Sequence, residues 1–123
     1  MKIVTLIARI LLGLIFLVFG LNGFLNFIPA PPPSGVAGQY IGALFVSHYA
    51  VLIFLLEVIG GVLLLANRFV PLAIAVLGPI VVNILLFHFS MAPEGIPLAL
   101  VTTVLWAIVF YKVRQAFAPL FVA

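Results

Sequence analysis

The chain has 123 residues, of which 67% are hydrophobic and only 6% are charged, and its formal net charge is +3. About a quarter of the residues in a soluble domain are charged. This composition therefore excludes a soluble globular domain and predicts an integral membrane protein. The basic residues are scattered over the ends of the apolar segments, which argues against nucleic-acid binding. The absence of cysteine excludes disulfides, thiol redox chemistry and thiolate metal sites, so any redox role falls to a bound cofactor or a partner.

Four apolar segments predict a single all-α domain over residues 1–123, built as a four-transmembrane-helix bundle. The first span covers residues 3–28 and is expected to stay uncleaved, because Arg9 interrupts it and no cleavage site of small residues follows. A proline-rich loop and a short helix, interfacial or partly re-entrant, occupy residues 29–47. The remaining spans cover residues 48–66, 70–89 and 96–113, and Pro71 fits the first turn of the third.

The charges predict the orientation of the bundle. All five basic residues fall at one end, and the loops at the other end contain none. Cytoplasmic loops of membrane proteins are enriched in Lys and Arg, so both termini are expected in the cytoplasm. The residues that carry this signal are Lys2, Arg9, Arg68, Lys112 and Arg114.

Glu57 lies in the otherwise apolar stretch 52–65, where a carboxylate is costly unless it pairs, titrates or binds something. Helical periodicity places it on one face with Gly61, and its depth is close to that of Asn83. The long side chain of Arg9 reaches towards it, so Glu57, Arg9 and Asn83 are predicted to form a buried polar site. Three plainer interpretations stay open: a structural Glu57–Arg9 pair or a neutral carboxylic acid, an interhelical hydrogen bond of Asn83, and an Arg9 that extends to the interface.

Two further groups of residues are candidates for binding or packing. His88 and His48 fall near the outer interface, and either is a possible axial ligand of haem iron or chlorophyll magnesium, but the spacing predicts no metal-ion site. Small residues on the first and second spans let helix backbones approach closely. These predicted packing residues are Gly13, Gly20, Gly23, Gly60 and Gly61.

The chain resembles the DoxX family of small bacterial membrane proteins. The resemblance rests on residues 8–16 leading into Phe19-Gly20, on 56–61 with 63–65, on 68–69 and 71–73, and on 83–88. It covers nearly the whole length and implies the family's four-span layout in a bacterial inner membrane. Some relatives are associated with membrane oxidoreductases, including thiosulfate:quinone oxidoreductase and oxidative-stress complexes, but the family supplies no catalytic motif.

The resemblance implies an accessory component of a quinone-linked membrane oxidoreductase system, rather than an autonomous enzyme. Quinone is then the expected cofactor, ahead of haem or chlorophyll held by His88, and the partners are the lipid bilayer and other membrane subunits. The alternative is a non-catalytic small subunit of a larger respiratory or photosynthetic complex, which packs against partner helices, lipid or pigment. A small transporter or channel is the third hypothesis, although one buried acid with no second series of ionisable residues is a poor basis for it.

Overall fold

The computed structural model describes residues 2–28 and 33–122, so part of the predicted proline-rich loop, residues 29–32, lies outside the described residues. Four of its helices are long and apolar enough to cross a membrane, and a shorter apolar helix lies between the first two of them. This confirms the predicted all-α, four-span architecture. The helices are α1 (Lys2–Leu25), α2 (Gly35–Val46), α3 (Tyr49–Ala66), α4 (Val70–Ser90) and α5 (Ile96–Val113), and 3₁₀ segments cover Pro93–Gly95 and Arg114–Phe121.

The four spanning helices form a ring. Helix α1 packs against α3 and α5, and α4 packs against the same two helices, so spans that follow one another in sequence are neighbours in space. Helix α2 packs on α3. We call the end that contains Lys2, the α3–α4 junction and Lys112 the basic end, and the end that contains α2 and the Pro93–Gly95 segment the outer end.

Left-handed asparagines end α1 and α3, at Asn26 and Asn67. Helix α1 ends at Leu25, three residues before the predicted boundary, because Asn26 adopts φ 52° and its N–H donates to the Asn22 carbonyl at 2.8 Å. The Asn22 side-chain oxygen then accepts a hydrogen bond from the Ile28 N–H at 2.7 Å. Asparagine tolerates this conformation because its short polar side chain bonds to nearby backbone. Two polar residues therefore stop a helix that hydrophobicity alone would extend.

The contact between α1 and α3 depends on glycine. A Cβ atom on Gly61 would lie 2.6 Å from the Leu17 nitrogen and 2.8 Å from the Gly13 carbonyl oxygen, and one on Gly20 would lie 3.0 Å from the Glu57 Cβ. The two helix backbones are therefore close enough that no side chain fits between them at these positions. Gly23 similarly faces Phe54, and Gly60 faces Leu77 of α4.

An apolar plug fills the middle of the bundle. Its largest members have less than 2% of their surface exposed and come from all four spanning helices. They are Leu12, Phe16, Leu64, Ile74, Leu77 and Val109. Helix α5 closes the plug with Trp106, whose indole Nε1–H donates to the Ile74 carbonyl at 3.0 Å. Trp106 thus connects α5 to α4 by a hydrogen bond as well as by packing.

Candidate ligand cavity at the outer end

A cavity of about 420 Å³ occupies the outer half of the bundle, and all five helices contribute to its wall. The wall is mostly apolar, with the rings of Phe16, Phe19, Phe45 and Phe54 among its members. The wall has fewer polar members. Four of them lie on spanning helices and one, Asn26, directly follows α1; the others are Asn22, Glu57, His88 and Thr102. An apolar enclosure with a few convergent polar groups is the usual form of a small-molecule site.

Glu57 is the acidic member of this wall. Only 7% of its surface is exposed, and no hydrogen bond or ion pair to its carboxyl group is found among residues 2–28 and 33–122. No fully enclosed, unpartnered side-chain oxygen or nitrogen occurs in the same part of the chain, so the carboxyl oxygens keep access to the cavity. A buried carboxyl group without a protein partner is costly, which makes its hydrogen-bonding capacity available to whatever enters.

The predicted contact of Arg9 with Glu57 is wrong. Arg9 instead donates through Nη1 to the Leu64 carbonyl, and to the Leu65 carbonyl at 3.4 Å. The last carbonyls of a helix have no intrahelical partners and carry partial negative charge, so the end of α3 is a natural acceptor for a cation. Glu57 lies on α3 seven residues before Leu64, about 10 Å away by helical rise.

Asn83 also lies apart from Glu57. Its amide nitrogen donates to the Tyr40 hydroxyl at 3.0 Å, and the hydroxyl lies 3.2 Å from the amide oxygen. Tyr40 also packs on Phe87, with ring centroids 5.4 Å apart. Asn83 therefore connects α4 to α2 on the exposed side of α4, and the predicted three-residue polar site is not assembled. Counting residues along the helices places Asn83 near the depth of Glu57, but it does not reveal that the Asn83 side chain points towards α2.

The two histidines are separate. His88 lines the cavity, and its Nδ1 lies 3.1 Å from the Ala92 carbonyl while the ring packs against Gly95, which fixes its orientation. His48 is exposed at the α2–α3 junction, with φ 68°, and is not part of the cavity wall. Within the described ranges, no group of three or more His, Cys, Asp or Glu side chains is placed to hold a metal ion.

Several wall residues were not among the predicted site residues. Asn22 and Asn26 lie one helical turn apart in the sequence of the first span, a spacing that by itself predicts residues at the outer interface, and both instead line the cavity. Ile41 and Phe45 bring α2 into the wall. Thr102 donates its hydroxyl to the Leu98 carbonyl at 2.9 Å, so only its oxygen lone pairs remain for a ligand.

A family model described as DoxX matches residues 4–89. The match extends from α1 nearly to the end of α4 and includes Glu57 and His88, whereas α5 lies beyond it. No curated protein and no solved structure matches the chain.

Proposed function

The chain belongs to the DoxX family, and from this premise we propose that it is an accessory component of a quinone-linked membrane oxidoreductase system that binds a quinone head group in the outer cavity. The observation that carries the proposal is the Glu57 carboxyl group, which has no hydrogen-bond or ion-pair partner among residues 2–28 and 33–122 and borders an apolar, aromatic cavity. A bacterial inner membrane is the location that this role requires.

The size and lining of the cavity support a flat, mostly apolar ligand. Its volume of about 420 Å³ lies within the usual range of small-molecule sites, roughly 300–1,000 Å³. Phe16, Phe19, Phe45 and Phe54 offer ring faces and edges against which an aromatic or quinonoid ring packs favourably. The cavity therefore favours a ring over a strongly hydrated ion.

The polar groups support a ligand that exchanges protons. A carboxyl group donates a hydrogen bond when protonated and accepts one when ionised, so Glu57 suits both a quinone carbonyl and a quinol hydroxyl. His88 is a second polar group in the same wall. Its Nδ1 contacts the Ala92 carbonyl, so its other ring nitrogen, Nε2, is the one left for a ligand. The chain contains no cysteine, so the proposed electron donor or acceptor is a partner protein, which makes this chain accessory.

The packing glycines do not support the alternative hypothesis of a purely structural subunit. Gly13, Gly20 and Gly61 pack α1 against α3 within the chain, and Gly60 packs against α4. They are therefore unavailable as a close-packing surface for a partner helix. The structural hypothesis also predicts that Glu57 has no ligand, which is directly testable.

The test compares Glu57→Gln with Glu94→Gln, which removes the chain's other acid from the exposed Pro93–Gly95 segment outside the cavity. We expect Glu57→Gln to weaken binding of a short-chain quinone in its reduced, quinol form about tenfold or more, because the quinol hydroxyl loses its bond to a carboxylate and a hydrogen bond to a charged group contributes about 1.5–3 kcal/mol. Glu94→Gln should bind as the wild type does. Binding is measured by titrating the detergent-purified protein and by extracting the quinone that co-purifies.

A second pair of variants tests the cavity itself. Ala99→Leu adds volume to the cavity wall, whereas Ala107→Leu adds the same volume to the exposed side of the same helix. Only the first should reduce quinone binding. If Glu57→Gln and Ala99→Leu both bind quinone as tightly as the wild type, the proposed site is wrong.

A further inference from the structure

A second cavity, of about 280 Å³, lies at the basic end between α1, α5 and the α3–α4 junction. Lys2 and Arg9 enter its wall from α1, Lys112 from α5, and Asn67 from the junction. We propose that this cavity binds one phosphate group, carried either by an anionic membrane lipid or by free phosphate. The proposal is independent of the quinone site, which lies on the other side of the apolar plug.

The charge of this cavity has no counterpart within the described residues. The chain has only two side-chain acids; Glu57 borders the outer cavity, and Glu94 lies in the outer Pro93–Gly95 segment. No ion pair involving Lys2, Arg9 or Lys112 occurs among residues 2–28 and 33–122. Three like charges around one small space repel one another, and a bound anion offsets that repulsion.

Arg9 has donors left for such an anion. Its contacts with the α3 carbonyls are both made by Nη1, and within the described residues its Nη2 and Nε groups have no hydrogen-bond acceptor. A guanidinium group held at one nitrogen by the protein presents the others in a fixed direction, a geometry that matches phosphate oxygens. Arg9 is therefore the anchored cation of the site, and the two exposed lysines adjust to it.

The backbone beside the cavity adds partial positive charge. Helix α4 begins at Val70, which lines the cavity, and its first turn has no side-chain cap. Pro71 in this turn has no N–H, but the N–H groups of Val70 and Leu72 lack intrahelical acceptors, and such groups attract anions. Val109 and Val113 form an apolar part of the wall, which suits the non-polar portion of a lipid. Basic cavities between helices at the level of lipid head groups are known to hold anionic lipids.

The experiment uses native mass spectrometry of the full chain after incubation with phosphatidylglycerol or phosphatidylcholine in detergent. The wild type should retain one phosphatidylglycerol in preference to phosphatidylcholine. Lys112→Gln should reduce that retention about fivefold, as expected for losing one cation near a lipid phosphate, and adding Lys2→Gln should reduce it by a similar factor again. Both lysines are exposed and make no structural hydrogen bond among the described residues, so neither change should unfold the protein.

The matched control is Arg68→Gln, which removes one charge at the same end but outside the cavity wall. Its retention of phosphatidylglycerol should change less than twofold. An excess of inorganic phosphate identifies the source: displacement of the lipid shows that the site accepts free phosphate, and lack of displacement shows that it requires the lipid. The proposal is overturned if the wild type retains both lipids alike, or if Arg68→Gln and Lys112→Gln lower retention equally.

Discussion

Gly61→Ala provides the sharpest test of the packing between α1 and α3. The added Cβ would lie 2.6 Å from the Leu17 nitrogen, and ordinary van der Waals contact begins at about 3.4 Å. The obstructing atoms belong to the backbone of α1, so no side-chain rotation relieves the overlap. The two helices must therefore move apart over the length of their contact.

The expected loss of stability is about 2 kcal/mol. Overpacking of this kind costs about 1–3 kcal/mol, and rigid backbone on the opposing side favours the upper part of that range. Alanine is a better helix former than glycine by roughly 0.5–1 kcal/mol, which offsets part of the cost. Gly42→Ala is the control, because Gly42 also lies inside a helix but a Cβ there meets no atom within 4 Å.

The free energy of unfolding is measured by titrating the protein in mild-detergent micelles with sodium dodecyl sulfate and following helicity by circular dichroism. Gly42→Ala should be as stable as the wild type or slightly more stable. If Gly61→Ala matches it, then α1 and α3 are not in backbone contact at this position, and the reasoning is refuted. Because Gly61 lies one turn from Glu57 on α3, the destabilised variant should also bind the proposed ligand more weakly.

Two other contacts give predictions of the same kind. Trp106→Phe should lower the free energy of unfolding by about 1 kcal/mol, since it removes the hydrogen bond to the Ile74 carbonyl; an unchanged unfolding midpoint in the same titration would count against that bond. Tyr40→Phe should loosen α2 by removing the hydrogen bond to Asn83. Because the chain has no cysteine, Ala99→Cys introduces a single thiol in the cavity wall. A water-soluble maleimide should modify this thiol faster when Tyr40→Phe is also present. Equal rates would show that the hydrogen bond between Tyr40 and Asn83 does not restrain α2.

The architecture was predictable because each span is a local property of the chain. Long apolar runs separated by proline, glycine and charged residues are visible in sequence, and Pro71 marks the start of α4 as expected. The boundary at Leu25 was missed because it depends on the left-handed conformation of Asn26 and on a side-chain hydrogen bond of Asn22 rather than on hydrophobicity. Local hydrogen bonding thus sets the ends of helices that hydrophobicity only roughly delimits.

The candidate site was less predictable, because it depends on how the helices are rotated and on which helix each one faces. The carboxyl group of Glu57 was identified from its cost in hydrocarbon alone, and the structure places it in a cavity wall. Its expected partners were selected by depth, but Arg9 bonds to helix-end carbonyls and Asn83 faces α2. The position of α2 follows from contacts with α3 and α4 that no local sequence signal specifies.

The apolar plug between the two cavities has an electrical consequence. Leu12, Leu64 and Leu77 are fully buried, and no ionisable side chain lies among the plug's residues. A transmembrane voltage falls across the insulating part of a protein, and moving one charge through the full voltage changes its energy by about 2.3 kcal/mol per 100 mV. A proton that reaches Glu57 through the outer cavity does not cross this insulator, so we expect protonation of Glu57 to respond to only part of the membrane voltage.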